Sequence, residues 1–541
     1  MPRGPASAET ADAPIPSPRP PQARRRREDT TLQIRKNKRE EGLAKRRAFQ
    51  RDVAPVLAPK PDAGNPAAPE RPTVADMPRL LNEIQSQDPA VVVAATRGWR
   101  KLLSVEPQPP VDAVLATGVV AVLARLLAHH AMPELQFEAA WALTNVASTD
   151  KTQAVVDAGV VPAMVQLMQS PNGDVREQCI WCLGNIAGDS TESRDAVLAA
   201  GRVEINQWNA PSSKNFKPLE LGQIDAAGAL EPLIANLQNP ATTSLLRNAT
   251  WSLSNLCRGT PKPDVARLAP AIPVLVGLLR SDDVDTLMDA CWALSYLSDG
   301  DEARIQCVVD HGAAAALSPL LGHASHKVVT PALRTLGNVV TGNDAQTQAA
   351  LDAGVLAHVA ALLASPRKAI RKETCWLVSN VAAGTPPQIA AVASDAALLK
   401  LVVHQLDAGD WDVKKEATWV VSNVLSGGHK NHVLALVEHG VIKPLCALLA
   451  TAEAKIVTVA LDALEAILKV GHFGGVPAAN LVDEADGVEK LENLQHHENA
   501  RVYEKAVGII ETYFGAEDDE APDVAPDIAG DGAAFSFGIA A

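Results

Sequence analysis

Five tryptophans in this chain are each followed four residues later by an asparagine: Trp141/Asn145, Trp181/Asn185, Trp251/Asn255, Trp376/Asn380 and Trp419/Asn423. On a helix, positions i and i+4 share one face, as does i−3. The i−3 positions read Glu138, Gln178, Asn248, Asp289, Glu373 and Glu416, polar throughout and often acidic. Packing alone calls for no Asn one turn after a Trp, and Asn inside a helix is unfavourable by propensity. A binding face gives each residue a task. Indoles on neighbouring helices about 10 Å apart form slots for the stem of a Lys or Arg. A cation over an indole is worth about 0.5–2 kcal/mol. A carboxamide offers a donor and an acceptor, which matches one peptide unit. Nearby carboxylates select cations. The ligand this face fits is an extended, Lys/Arg-rich peptide.

The elements that present these residues repeat. The segments EAAWALTN (138–145), EQCIWCLGN (177–185), NATWSLSN (248–255), DACWALSY (289–296), ETCWLVSN (373–380) and EATWVVSN (416–423) align, and PALRTLGN (331–338) joins them with Arg334 in the aromatic place. Successive steps along this column are 40, 70, 41, 42, 42 and 43 residues. Gly118, Gly159, Gly228, Gly312, Gly354 and Gly440 recur in phase, each before an apolar helix. A period of about 40–47 residues with two or three helices marks armadillo or HEAT units, which stack because none buries its apolar face alone. The expected fold is all-α: an armadillo-repeat right-handed superhelix, an α-solenoid of about ten repeats over 77–515, with a flexible basic N-terminal arm. The long step is read as a surface insertion of 27 residues at about 202–228, flanked by the near-duplicates Ala199-Ala-Gly201 and Ala226-Ala-Gly228; a misplaced exon boundary would give the same pattern. Tyr296 and Arg334 interrupt the ladder, which leaves one cluster at Trp141, Trp181 and Trp251 and a second at Trp376 and Trp419. An extended chain rises about 3.3 Å per residue, so each repeat spans about three ligand residues. Two basic clusters on one peptide could therefore occupy both sites.

Composition narrows the class. Of 541 residues, 47% are hydrophobic and 4% aromatic, so the core is built from Ala, Val and Leu. No unbroken apolar run reaches the roughly 18 residues of a membrane span, and no membrane partner is expected. No secretory signal follows Met1. The seven cysteines are dispersed and read as reduced thiols. Cys179 and Cys182 form a CxxC without a second ligand pair, so it is read as two small apolar helix residues. No phosphate loop, HExxH or GxSxG is present; an enzyme is not expected, nor any cofactor or metal. Residues 1–51 hold 14 Lys/Arg and 6 Asp/Glu, a net +8; the remaining 490 hold 35 and 57, a net −22. Such an arm should be attracted to such a body. The acidic body also argues against nucleic acid as the main partner. A junctional or cytoskeletal scaffold is the competing class, but a scaffold needs neither the ladder nor the arm. The reading by segments is a disordered 1–23, a basic 24–51, a Pro-rich linker over 52–76, repeats over 77–515, and an acidic, then Gly/Ala-rich disordered tail over 516–541.

These residues resemble the importin-α family. EAAWALTN, LGNIAGDSTESRDAVL (183–198), RNATWSLSNLCRG (247–259), CWALSYLSDG (291–300) and LGNVVTGNDAQTQ (336–348) carry the resemblance as a set. It implies a soluble nuclear import adaptor that shuttles between cytoplasm and nucleus and binds monopartite and bipartite nuclear localisation signals. A major site is implied on Trp141, Asn145, Gln178, Trp181, Asn185, Asp189, Asn248, Trp251 and Asn255, with Asp189 pairing the most selective lysine. A minor site is implied on Arg334, Asn338, Asp344, Glu373, Trp376, Asn380, Glu416, Trp419 and Asn423. The arm, with Arg24, Arg25, Arg26, Arg27, Arg35, Lys36, Lys38 and Arg39, would bind importin-β. Lys45, Arg46 and Arg47 would fold back and block the major site. HHENARVYEKAVGIIETYF (496–514) resembles the C-terminal unit used by the family's export receptor. The closing Phe535-Ser-Phe-Gly538 has the form of a nucleoporin FG motif, a four-residue match that chance readily supplies; nuclear pore components stay as candidate partners.

Overall fold

A computed structural model describes residues 72–105, 108–200, 228–427 and 429–515, with the backbone of 527–528 and 535–536. The basic arm, the two groups of arm residues named above, nearly all of the Pro-rich linker and the insertion up to residue 227 lie outside the described residues. The last residues assigned to the linker are ordered: Thr73 caps a 3-10 turn at Val74–Asp76, and Asp76 bonds back to the Thr73 amide at 2.8 Å. In the tail, Asp527–Ile528 pairs antiparallel with Phe535–Ser536. One further two-residue pair joins His472–Phe473 to Val476–Pro477. All other regular structure among the described residues is helical.

The long helix of each repeat carries the column, and ten are labelled here: α1 (Pro89–Leu103), α2 (Pro133–Ala147), α3 (Gly173–Asp189), α4 (Thr243–Cys257), α5 (Val284–Leu297), α6 (His326–Val339), α7 (Lys368–Val381), α8 (Trp411–Gly427), α9 (Ala454–Leu468) and α10 (Ala500–Tyr513). Their starts are written in the sequence. Asn172, Thr242 and Asp283 accept from backbone amides of the first turns of α3, α4 and α5, and Pro89 and Pro133 open α1 and α2. Gly118 and Gly159, at φ 72° and 73°, end one short helix and open the next, a left-handed turn that a side chain would disfavour.

The chain divides into two compact units between Leu362 and Leu363. In the first, α1 packs on α2, α2 on α3, α3 on α4, α4 on α5 and α5 on α6. In the second, α7 packs on α8, α8 on α9, and α9 on α10. Small residues make the approach close: on α2, Leu135, Ala139, Ala140, Ala142, Leu143, Val146 and Ala147 are all buried. Between α3 and α4 the approach is tighter still. A Cβ on Gly184 would stand 2.5 Å from Cζ3 of Trp251 and 2.3 Å from Oγ of Ser252. Cys179 and Cys182 are fully buried, and burial pushes the Cys182 thiol up to about 12, so it stays protonated. No single described helix is long and apolar enough to cross a membrane.

Candidate peptide-binding face

The column is in register across neighbouring helices, and its bonds reach the matching position of the preceding long helix or the residue just before it. Asn145 on α2 donates Nδ2 to the Ser104 hydroxyl beyond α1 at 2.9 Å. Asn255 on α4 donates to the Gly184 carbonyl on α3 at 3.0 Å, and Asn338 on α6 donates to the Ser295 carbonyl on α5 at 2.9 Å. In the second unit Asn423 donates to the Ser379 carbonyl at 2.7 Å. Asn185 makes the longest of these contacts, 3.5 Å to the Thr144 carbonyl. The expectation that packing needs no Asn is therefore corrected. On α2, α3, α4, α6 and α8 the carboxamide ties the helix to a main-chain or hydroxyl oxygen one repeat earlier, a buried bond worth about 1 kcal/mol net. The tie uses the amide nitrogen and leaves the oxygen for other work. On Asn185, which is wholly buried, that oxygen is without a hydrogen-bond donor.

The indoles differ in exposure. Trp141, Trp181 and Trp419 are half-buried, whereas Trp251, Trp292 and Trp376 are 3%, 8% and 6% exposed. The six-membered ring of Trp251 lies along α3 where Gly184 makes room. Trp292 stacks on Tyr296, centroids 6.0 Å apart at 23°, so the position that holds Asn elsewhere is filled by a ring. Arg334 is buried in α6, behind Pro331 at the i−3 place.

The i−3 groups are less open than their types suggest. Gln178 is buried and donates Nε2 to the Thr144 hydroxyl at 2.7 Å. Asn248 donates to the Glu177 carboxylate at 2.9 Å, and Thr242 and Ser244 bond to the same group. Burial raises the Glu177 carboxyl above its ordinary range despite these donors. Glu138 is held by two arginines: Arg97 Nε lies 2.8 Å from one oxygen, and Arg100 Nε bonds the other. The Arg100 guanidinium also lies 4.2 Å from the Trp141 ring centroid. Glu373 and Glu416 are buried on α7 and α8.

Asp189 is exposed and ends α3. A carboxylate at a helix C-terminus opposes the macrodipole at about 0.3–1 kcal/mol, so the helix does not select it, and a cation placed there meets both. Asp344 is also exposed, but it opens its helix (Asp344–Asp352), where an acid is locally favourable.

The major-site residues all lie on α2, α3 and α4 of the first unit. Of the minor-site residues, Arg334, Asn338 and Asp344 belong to the first unit, and Glu373, Trp376, Asn380, Glu416, Trp419 and Asn423 to the second. Sequence reasoning missed Arg97, Arg100, Ser104 and Glu177. The first three sit 41 residues before Glu138, Trp141 and Asn145, so extending the count back one repeat finds them.

The Importin beta binding domain family matches residues 17–97. The Armadillo/beta-catenin-like repeat family matches 107–148, 148–188, 223–258, 269–299, 301–341, 343–383 and 429–468, and the Atypical Arm repeat matches 477–527. The chain is 45% identical to Importin subunit alpha-1b of Oryza sativa subsp. japonica, over 82% of this chain and 80% of that protein. It is 44% identical to Importin subunit alpha-1a of the same organism, over 96% and 94%. A solved engineered protein, 27% identical, superposes with a TM-score of 0.68 over 81% of this chain and 98% of its own. The repeats, the column they carry and the relatives that share the chain nearly end to end make it a member of the importin-α family, armadillo-repeat adaptors of nuclear import rather than enzymes.

Proposed function

We propose that this adaptor binds extended Lys/Arg-rich nuclear localisation signals on the Trp/Asn face. Trp141, Trp181 and Trp251 serve a first basic cluster, and Trp376 and Trp419 serve a second. Asn145 and Asn255 hold the peptide backbone with the carboxamide oxygens that their inter-helix bonds leave over, while the wholly buried Asn185 stays tied to α2. Asp189 takes the most selective lysine at the end of α3. The basic segment 24–51, inside the stretch that matches the importin-β-binding family, links cargo to importin-β. Lys45, Arg46 and Arg47 compete with cargo for the first cluster, in keeping with the +8 arm and −22 remainder. The C-terminal unit ending in α10 takes an export receptor, and the adaptor shuttles between cytoplasm and nucleus.

The observation that carries this reading is the in-register column itself, indole beside carboxamide beside a polar i−3 group, on three successive helices. Arg100 supports it, since the first indole of the column already holds a guanidinium at 4.2 Å. The test is binding of a fluorescent Lys-rich peptide to the full chain and to a chain starting near residue 72. Tighter binding by the shortened chain is expected, with loss on Trp181→Ala or Asp189→Lys. Equal, weak binding by both, unaffected by either substitution, would overturn the proposal.

A further inference from the structure

One repeat before the first indole, the column does not stop; it changes sign. α1 carries Arg97 where α2 carries Glu138, Arg100 where α2 carries Trp141, and Ser104 follows α1 where Asn145 ends the set on α2. Trp99, next to Arg100, is wholly buried, so the two side chains divide between core and column.

Each group that a ligand cation would use at this end is already engaged. The Arg100 guanidinium covers a face of Trp141 at 4.2 Å and bonds Glu138 through Nε. Arg97 bonds the other Glu138 oxygen at 2.8 Å and reaches Glu134 with its second branch. The Glu138 side chain is 5% exposed and Arg100 16%. Asn145 spends its amide on Ser104. The contact is intramolecular, so a free peptide competes against a permanently high effective concentration. In the second unit the cation at an indole of the column comes from the following helix and is looser: Lys455 on α9, an exposed residue, stands 5.7 Å from the Trp419 ring, near the outer limit of such an interaction.

We propose that Arg100, backed by Arg97, stands in for a ligand cation and closes the peptide face at Trp141, so that it sets how far a basic cluster extends and in which register it sits. This rests on the peptide-binding reading above. The ligand concerned is the same Lys/Arg-rich peptide. What is new is a specificity-determining residue that limits it by occupying the next subsite.

The test uses the full chain, wild type and with Arg100→Ala or Arg100→Gln, the latter keeping an uncharged polar side chain with part of the arginine stem should the alanine variant fail to fold. A parent basic peptide is compared with versions extended by Lys or by Ala at either end, by fluorescence anisotropy at one salt concentration. In wild type, Lys and Ala extensions should bind within about twofold of each other at both ends. In either Arg100 variant, the Lys extension at one end should gain about tenfold over Ala, within the range for a cation on a partly desolvated indole. Adding Glu138→Gln should remove most of that gain. An unchanged Lys-to-Ala ratio at both ends, with the parent peptide still bound, would overturn the stop role alone. Failure of every protein to bind the parent peptide would instead overturn the peptide-binding reading on which it rests.

Discussion

Gly184→Ala should destabilise the first unit, although alanine is the better helix former. In an exposed helix the exchange gains about 0.8–1.0 kcal/mol. At position 184 the new Cβ would lie 2.5 Å from Cζ3 and 3.0 Å from Cε3 of Trp251, and 2.3 Å from Oγ of Ser252. The serine can rotate, but its hydroxyl then leaves the Ile180 carbonyl that it bonds at 2.9 Å. The indole is rigid and can yield only by moving with α4. Overpacking of this kind costs about 1–3 kcal/mol, which exceeds the propensity gain, so a net loss of about 1 kcal/mol is expected. Gly277 supplies the control. It lies in the helix Ile272–Leu278 of the same unit, and nothing stands within 4 Å of its Cβ position. Gly277→Ala should therefore stabilise. Differential scanning fluorimetry of the two single variants reads the opposite signs directly. Because repeat arrays can unfold in parts, hydrogen exchange of α3 and α4 localises the change. Peptide binding should weaken with Gly184→Ala and not with Gly277→Ala, since only the former displaces an indole of the column. If both variants gain stability by the same margin, the α3–α4 contact is not as close as argued and the reasoning fails.

Asn255→Ala removes a buried bond to the Gly184 carbonyl and leaves that oxygen to its helix partner alone; a loss of about 1–3 kcal/mol is expected by chemical denaturation, together with weaker peptide binding. Retained stability would mean that the carboxamide serves ligand only. Glu177 has its folded pKa raised by burial, so the folded form holds its proton more tightly than the unfolded form. Its contribution to stability is then largest below the ordinary carboxyl range and is lost as pH rises through the raised value. Stability of wild type minus that of Glu177→Gln should fall across that window, and a flat difference would refute the assignment.

Much of the column was legible from residue types alone. A Trp with an Asn one turn later is a local pattern, fixed by the 3.6-residue helical period, and its recurrence every 40–43 residues announces a stack. The cap residues and turn glycines are equally local, which is why Gly118 and Gly159 could be placed before any coordinate. The acid column was legible in type but not in state. Glu138 reads as a cation selector until Arg97 and Arg100, about 40 residues away, are seen to neutralise it.

What the sequence determined by itself was the repeating unit, its helices, the face on which each functional side chain lies and the sign of charge on arm and body. These follow from backbone geometry and from counting, which need no knowledge of neighbours. What tertiary structure alone decided was the availability of those groups: that Trp251 lies close against Gly184, that Gln178 and Asn248 spend hydrogen bonds on the adjacent helix, and that the carboxamides hold repeats together with their nitrogens. Exposure and hydrogen-bond pairing are properties of two surfaces in contact. No local pattern encodes them, because the partner atom lies a whole repeat away along the chain.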